Sequence, residues 1–333
     1  MDNFSYYRPE SLSDAIDAAR VEGADILAGG TTMVDLMKIG VREPEALVDI
    51  TGLPGLEGYE IGADRIDFGA LARMADVASD DAMKDAAPVL TESLWKAASP
   101  QLRHAARLGG NILQRTRCPY FRDTAYAQCN KRDPGSGCAA LDGGLTNLHA
   151  IFGGSDACVA MYPGDFAQAL IAFDASVSTQ GPGGTRTIPF DQLHVLPGDT
   201  PQVETVLEPG EIVTGITVPV IPALKASHYL KARDRESYAF ASASAAVGVE
   251  MDGDTVRDVR IGLGGVASIP WRATEAEEFL KGGPLTEDTA REAGRIAFAD
   301  ATPLEGSAYK IPLGADVVAG ALLTAKSRMN GGE

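Results

Sequence analysis

The chain has 333 residues, 45% hydrophobic and 23% charged, with a net charge of -17. That length accommodates two or three packed units, and so acidic a chain is a poor partner for nucleic acid, whose phosphates demand a basic face. No run of about 18 apolar residues suggests a membrane span, and the opening MDNFSYYRPE lacks the basic-then-apolar order of a signal peptide. The expected compartment is the cytoplasm, with export to the periplasm in a folded complex as the alternative.

Residues 1–55 read as a small α/β unit. Ser11 is a good N-cap for a helix over SLSDAIDAAR, whose apolar positions recur at helical spacing. DILAGGT reads as a short buried strand ending in Gly-Gly, and TTMVDLMKIG as a helix opened by Thr31 or Thr32. ALVDI is a second strand, paired in parallel with the first. Residues 56–220 form a second unit. RIDFGALARMADV is a strand, a turn and a short helix, and PVLTESLWKAA is an amphipathic helix. LIAFDASVSTQGPGGTRTIPF gives two antiparallel strands around a Gly-rich turn, and GEIVTGITVPV another strand. Short strands with return turns suggest an antiparallel sheet with helices on one side. PVIPAL reads as a linker. Residues 223–333 form a third unit, with three strand-like runs, an Asp-Gly turn at Asp252-Gly253 and a helical pattern from Trp271 onward. The class is α+β, and no internal repeat is present.

Two glycine motifs carry binding chemistry. Leu27-Ala28-Gly29-Gly30-Thr31-Thr32 lies between a strand and a helix and leads into Met33, Val34 and Asp35. A glycine pair lets the backbone approach a ligand, and free amides at the following helix suit a pyrophosphate. An ordinary strand–helix turn reads the same way, and this is not the GxGxxG fingerprint. Ser99-Pro100-Gln101-Leu102-Arg103 precedes Gly109-Gly110-Asn111-Ile112. Arg103 and Arg107 are spaced to share a helix face, and a basic helical turn with a Gly C-cap is the plainer alternative.

The third motif is a cluster of cysteines. Cys118, Cys129, Cys138 and Cys158 are spaced C-x10-C-x8-C-x19-C. In a reducing compartment such a group points to metal rather than disulfides. Four thiolates can hold a [4Fe-4S] cluster. Structural zinc usually shows a tight C-x2–4-C knuckle, which is missing, and four inert buried cysteines are the third reading. Seven basic residues (Arg103, Arg107, Arg115, Arg117, Arg122, Lys131, Arg132) against one acid, Asp123, occupy residues 101–132. That local excess suits an anionic centre or a docking face. His149 is a ligand, a flavin neighbour or a structural side chain.

LAGGTTMVDLMK followed by SPQLRHAARLGGNI resembles the FAD-binding subunits of the xanthine dehydrogenase and aldehyde oxidoreductase family, the molybdenum hydroxylases. DFAQALIAFDASV, KARDRESYAFASASAAV, LGGVASIPWR and AYKIPL extend the resemblance over essentially the whole chain. It implies a two-subdomain FAD-binding domain of the vanillyl-alcohol oxidase and cell-wall reductase type, followed by a three-stranded antiparallel sheet with helices. It also implies that Ala28 to Leu36 and Arg103 to Ile112 hold FAD, that Asp165 lies close to the cofactor, and that Lys231 and Arg233 lie near the flavin ring. Tyr238 is a weaker match. Asp258 and Arg260 read as solvated strand positions. The cysteine insertion is similar to that of periplasmic-type aldehyde oxidoreductases, which implies a [4Fe-4S] cluster on Cys118, Cys129, Cys138 and Cys158. The implied function is electron relay, from a molybdenum subunit through a small subunit with two [2Fe-2S] clusters to FAD and an external acceptor. No molybdopterin motif, HExxH or P-loop is present, so no catalytic residue is expected in this chain. A free-standing flavin reductase and a non-redox metal-bound scaffold are the alternatives.

Overall fold

The structure, a computed structural model, describes residues 1–329; the last four residues of the expected third unit, 330–333, lie outside the described residues. The first unit comprises β1 (Ser5–Tyr7), α1 (Leu12–Ala19), β2 (Ala24–Leu27), α2 (Met33–Lys38) and β3 (Ala46–Asp49). Its sheet runs β1-β3-β2 with both pairings parallel. Ser11 caps α1, its side chain accepting from the Asp14 amide at 3.1 Å. Sequence reading missed β1, because a three-residue exposed edge strand offers no alternation to detect.

The second unit contains β4 (Tyr59–Ile61), β5 (Arg65–Gly69), α3 (Met74–Ser79), α4 (Asp81–Ala86), α5 (Pro88–Trp95), α6 (Pro100–Ala105), α7 (Leu108–Ile112) and α8 (Pro119–Arg122). It continues through α9 (Phe166–Ala172), β6 (Ser176–Gly181), β7 (Gly184–Pro189) and β8 (Ile212–Pro219). The five strands form a fully antiparallel sheet, ordered β4-β5-β8-β6-β7. Ile66, Phe68, Val177 and Ile216 of the sheet share a core with Leu90 and Leu94 of α5 and Phe166 and Leu170 of α9. Each fully buried side chain of this size contributes roughly 1.5–3 kcal/mol.

The expected linker is a packed bridge: α10 (Pro222–Lys225) buries Ala223 and Leu224 completely. Beyond it lie β9 (Ser227–Ala232), β10 (Ala243–Asp252), β11 (Thr255–Gly264), β12 (Trp271–Arg272), α11 (Thr274–Leu280), α12 (Glu287–Ala297) and α13 (Lys310–Met329). The C-terminal sheet has four strands, ordered β12-β11-β10-β9, and not the three expected. The added strand pairs only Gly262 with Arg272 and Leu263 with Trp271, and two residues leave no periodic signal. The Asp252-Gly253 turn joins β10 to β11, with Gly253 at φ +60. Arg260 is not a solvated strand position: it bonds Asp258 at 2.8 Å and reaches Asp174, tying the second unit to the third. Among the described residues no helix is long and apolar enough to cross a membrane.

Glu92 of α5 is a second tie. It accepts from the Tyr229 amide at 2.8 Å, lies 2.8 Å from His228 Nδ1, and pairs with Arg328 of α13. Burial alone would raise its pKa, but these partners outweigh burial and hold it at about 2 against an ordinary 4.5. A depressed carboxylate contributes stability that is complete above its unfolded pKa and is lost as pH falls toward the folded one. Melting temperatures measured between about pH 5 and pH 2 should therefore fall more steeply in the wild type than in Glu92→Gln.

Candidate functional site: a glycine-lined cleft and a cysteine cavity

β2 delivers the chain at Leu27 to the turn Ala28–Thr32, where Gly30 takes the left-handed conformation at φ +72. Among the described residues, the amides of Gly29, Gly30, Thr31, Thr32 and Met33 make no hydrogen bond to a backbone carbonyl. Thr32 is the N-cap of α2 but its side chain does not cap, so both threonine hydroxyls remain free for a ligand. Gly29 is needed for packing: a Cβ there would stand 2.1 Å from the Ala105 carbonyl oxygen. The second glycine motif folds as α7. Leu108 and Gly109 donate to the carbonyls of Ala72 and Ala70 at 3.0 and 2.8 Å, which laces α7 to the turn after β5. Gly110 lies across from Ala28, 3.9 Å from its methyl group at the Cβ position.

The two motifs thus form facing walls of one cleft of about 410 Å3, lined by Ala28, Gly29, Gly30, Thr31, Thr32, Met33, Gly109 and Gly110. That volume lies within the range of cofactor sites. Arg107 also lines it, donating through one terminal nitrogen to Leu71 O at 3.1 Å while its buried Nε has no partner among the described residues. A run of free amides, two hydroxyls and an orphaned guanidinium donor match the acceptors of a pyrophosphate, so these residues fit FAD.

Other residues expected to hold the flavin do not line this cleft. Leu27 belongs to β2, and the Val34 side chain packs under Gly30. Asp35 turns to the cysteine segment, accepting from Arg117 at 3.1 Å and from Arg122 at 2.8 and 3.0 Å. Burial alone would raise its pKa, but the two guanidiniums hold it below the ordinary range. Ser99 caps α6, and Gln101 is exposed. Arg103 is buried, donates to Ala97 O at 2.7 Å and lies over Trp95. It does not share a helix face with Arg107, because α6 ends at Ala105 and Arg107 is the extended N-cap of α7. Asn111 donates to Met74 Sδ, and the Ile112 carbonyl accepts from Tyr162 at 2.9 Å. Asp165 and Lys231 form a buried pair at 2.8 Å, with side chains 5% and 1% exposed. Tyr229 donates to Asp165 at 2.5 Å, while Lys231 and Arg233 both donate to Lys96 O at 3.1 Å. Tyr238 sits exposed at φ +53.

The cysteine segment has one short helix, α8, N-capped by Cys118. Cys129 and Cys138 face each other across an isolated antiparallel bridge. All four thiols are free, and all four residues line one small enclosed cavity with Tyr120, Phe121 and His149. Its open space is about 10 Å3, one water's worth, so the fit rests on donor chemistry and convergence rather than on a preformed void. Burial pushes the Cys118 thiol up to about 12 and raises that of Cys158. His149 Nε2 lies 3.3 Å from Cys118 Sγ, and its Nδ1 is buried without a partner among the described residues. Among the described residues no group of three or more His, Cys, Asp or Glu is placed to hold a metal ion. Four thiols converging on one cavity are a donor set open to iron or to zinc.

Much of the local basic excess is paired internally: Arg132 donates to the carbonyls of Tyr120 and Phe121 at 2.8 and 2.9 Å, and Arg115 bonds Glu204. Sequence reading missed Arg42, Arg115, Gln202, Glu204, Thr205 and Glu211 in the cleft wall. All but Arg115 lie far along the chain from both glycine motifs or in loops without a pattern, and no local signal marks them.

A family model described as "FAD binding domain in molybdopterin dehydrogenase" matches residues 2–221, and one described as "CO dehydrogenase flavoprotein C-terminal domain" matches 227–322. The chain is 42% identical to the aldehyde oxidoreductase FAD-binding subunit PaoB of Escherichia coli, over 98% of this chain and 100% of that one. It is 27% identical to the carbon monoxide dehydrogenase medium chain of Hydrogenophaga pseudoflava, over 98% of each. Among solved structures, carbon monoxide dehydrogenase from Hydrogenophaga pseudoflava lacking the Mo-pyranopterin moiety aligns with a TM-score of 0.76 at 26% identity, covering 98% of both chains.

Proposed function

Because this chain belongs to the family of FAD-binding domains of molybdopterin dehydrogenases, an oxidoreductase family, we propose that it is the electron-transfer subunit of an aldehyde-oxidising molybdenum hydroxylase, with FAD in the glycine cleft and a [4Fe-4S] cluster on the four cysteines. The observation that carries this reading is the cleft itself, with free amides from Gly29 to Met33 facing Gly110. Residues 1–55 and 56–220 are assigned to holding the flavin, and the unit from residue 223 to packing against it. The amides from Gly29 to Met33, the hydroxyls of Thr31 and Thr32 and the Arg107 guanidinium hold the pyrophosphate. Bound FAD supplies exchange between one-electron and two-electron carriers. Asp165 and Lys231 are assigned to the same cofactor by their place in the family pattern, and their pair fixes β9 against α9. Cys118, Cys129, Cys138 and Cys158 are assigned as thiolate ligands of the cluster, with Cys129 and Cys158 buried. Electrons would enter from a small subunit with two [2Fe-2S] clusters, itself fed by a molybdenum-binding large subunit, and leave to an external acceptor. The 42% identity to an aldehyde oxidoreductase subunit favours an aldehyde as the substrate of the assembly.

Gly29→Ala tests the cleft. Its methyl group would meet the Ala105 carbonyl, and such overpacking costs about 1–3 kcal/mol. If the two walls separate to relieve it, FAD affinity falls roughly ten- to a hundredfold. Gly183→Ala, in a hairpin turn with open space around the added methyl, should leave affinity unchanged. Titration of flavin-stripped protein with FAD reads both variants, and equal affinity in Gly29→Ala and wild type would count against the cleft.

A further inference from the structure

The hairpin of residues 194–205 stands between the two sites. It closes on itself through a His194–Thr205 bridge and the Val195 amide donating to Glu204 O at 3.0 Å. One side lines the flavin cleft through Gln202, Glu204 and Thr205. The other is strapped to the cysteine segment at two points. Ser155, three residues before Cys158, donates to Gly198 O at 2.7 Å. Lys131, two residues after Cys129 and 9% exposed, donates to Pro201 O at 2.7 Å and to Glu204 at 2.9 Å. The Glu204 carboxylate thus lies between Lys131 from the cysteine cavity wall and Arg115 from the cleft wall. A narrow space behind it is lined by Glu204 and Thr205, which also line the cleft, and by Lys131 and Cys158, which also line the cysteine cavity.

Resting on the assignment of the two sites above, we infer that Glu204 is a positioning residue that couples them, so that filling the cysteine site favours filling the flavin cleft. The segment around the cysteines has little regular structure, so bound metal would set its position. Lys131 and Ser155 carry that position to the hairpin, and the hairpin is a wall of the cleft. A carboxylate held by a buried lysine and a partly buried arginine resists displacement, because moving it strands the buried Lys131 ammonium without its charged partner. Coupling of this kind is reciprocal: whatever factor the cluster contributes to FAD affinity, FAD returns to the cluster.

The test is a double-mutant cycle on the full chain in its assembled complex, with FAD stripped and titrated back. Cys158→Ser should weaken FAD binding about tenfold in the wild-type background and less than about twofold when Glu204→Gln is present. The direct effect of Glu204→Gln on the cleft cancels in the cycle. A second readout leaves the cysteines untouched: bound FAD should slow iron loss to a chelator in wild type and not in Glu204→Gln. An equal effect of Cys158→Ser in both backgrounds, or FAD protection of iron that persists in Glu204→Gln, overturns the inference. Wild-type protein with no FAD or no iron would instead defeat the site assignment, and is seen before any variant is made.

Discussion

A Cys129→Ser variant is expected to lose all of its iron and sulfide, about four of each, while still binding one FAD when the flavin is supplied in excess. Cys129 is 7% exposed and faces Cys138 across the bridge that closes the cysteine loop. A serine hydroxyl is a far weaker ligand for iron than a thiolate, whereas the exchange of one buried atom leaves Gly135 and Gly137 bonded to Asn130 at 3.1 and 2.8 Å. None of the four cysteines lines the flavin cleft, so losing the cluster weakens FAD binding without abolishing it. Iron and sulfide assays beside the flavin absorbance check the outcome. Retention of full iron in Cys129→Ser would remove that residue from the ligand set.

Asp165→Ala is expected to destabilise the protein by about 3–5 kcal/mol, because it strands a buried ammonium. Lys231 is 1% exposed at its side chain, and beyond Asp165 its partner is the carbonyl of Lys96. The Tyr229 hydroxyl, in a fully buried ring, loses its acceptor in the same step. Replacing both charges by apolar residues of similar volume, Asp165→Leu with Lys231→Met, should restore much of the loss, since the pair itself is roughly neutral against a packed apolar substitute. An exposed pair such as Arg291 with Glu287, at 2.8 Å, should barely move the midpoint of a urea titration that reads both variants. If Asp165→Ala shifts the midpoint no more than Glu287→Ala, the pair is not the strut that its burial implies.

What the sequence made legible was local. The Gly-Gly pairs, the alternation in β6 and β8, the Asp-Gly turn before β11 and the crowding of four cysteines are read from residues close together in the chain. The placements it missed depend on distant partners. Asp35 sits in the first glycine motif, yet its carboxylate belongs to Arg117 and Arg122, more than eighty positions away. Arg103 resembles a phosphate ligand by type, but its guanidinium is buried on Ala97 and Trp95. Gly29 reads as a ligand approach and proves to be a close approach to Ala105 as well. Glu204 lies in a loop without periodicity, and only the fold brings it between two cations. β12 is too short to carry any pattern.

On the proposed reading, one chain holds a flavin in the glycine cleft and an iron–sulfur cluster on its cysteines. The most direct measurement is an anaerobic ultraviolet–visible spectrum with flavin, iron, sulfide and zinc quantified on the same sample. About one FAD with about four iron and four sulfide is expected. Well-folded protein containing neither flavin nor iron would contradict it, and flavin with zinc in place of iron would contradict its cysteine half alone.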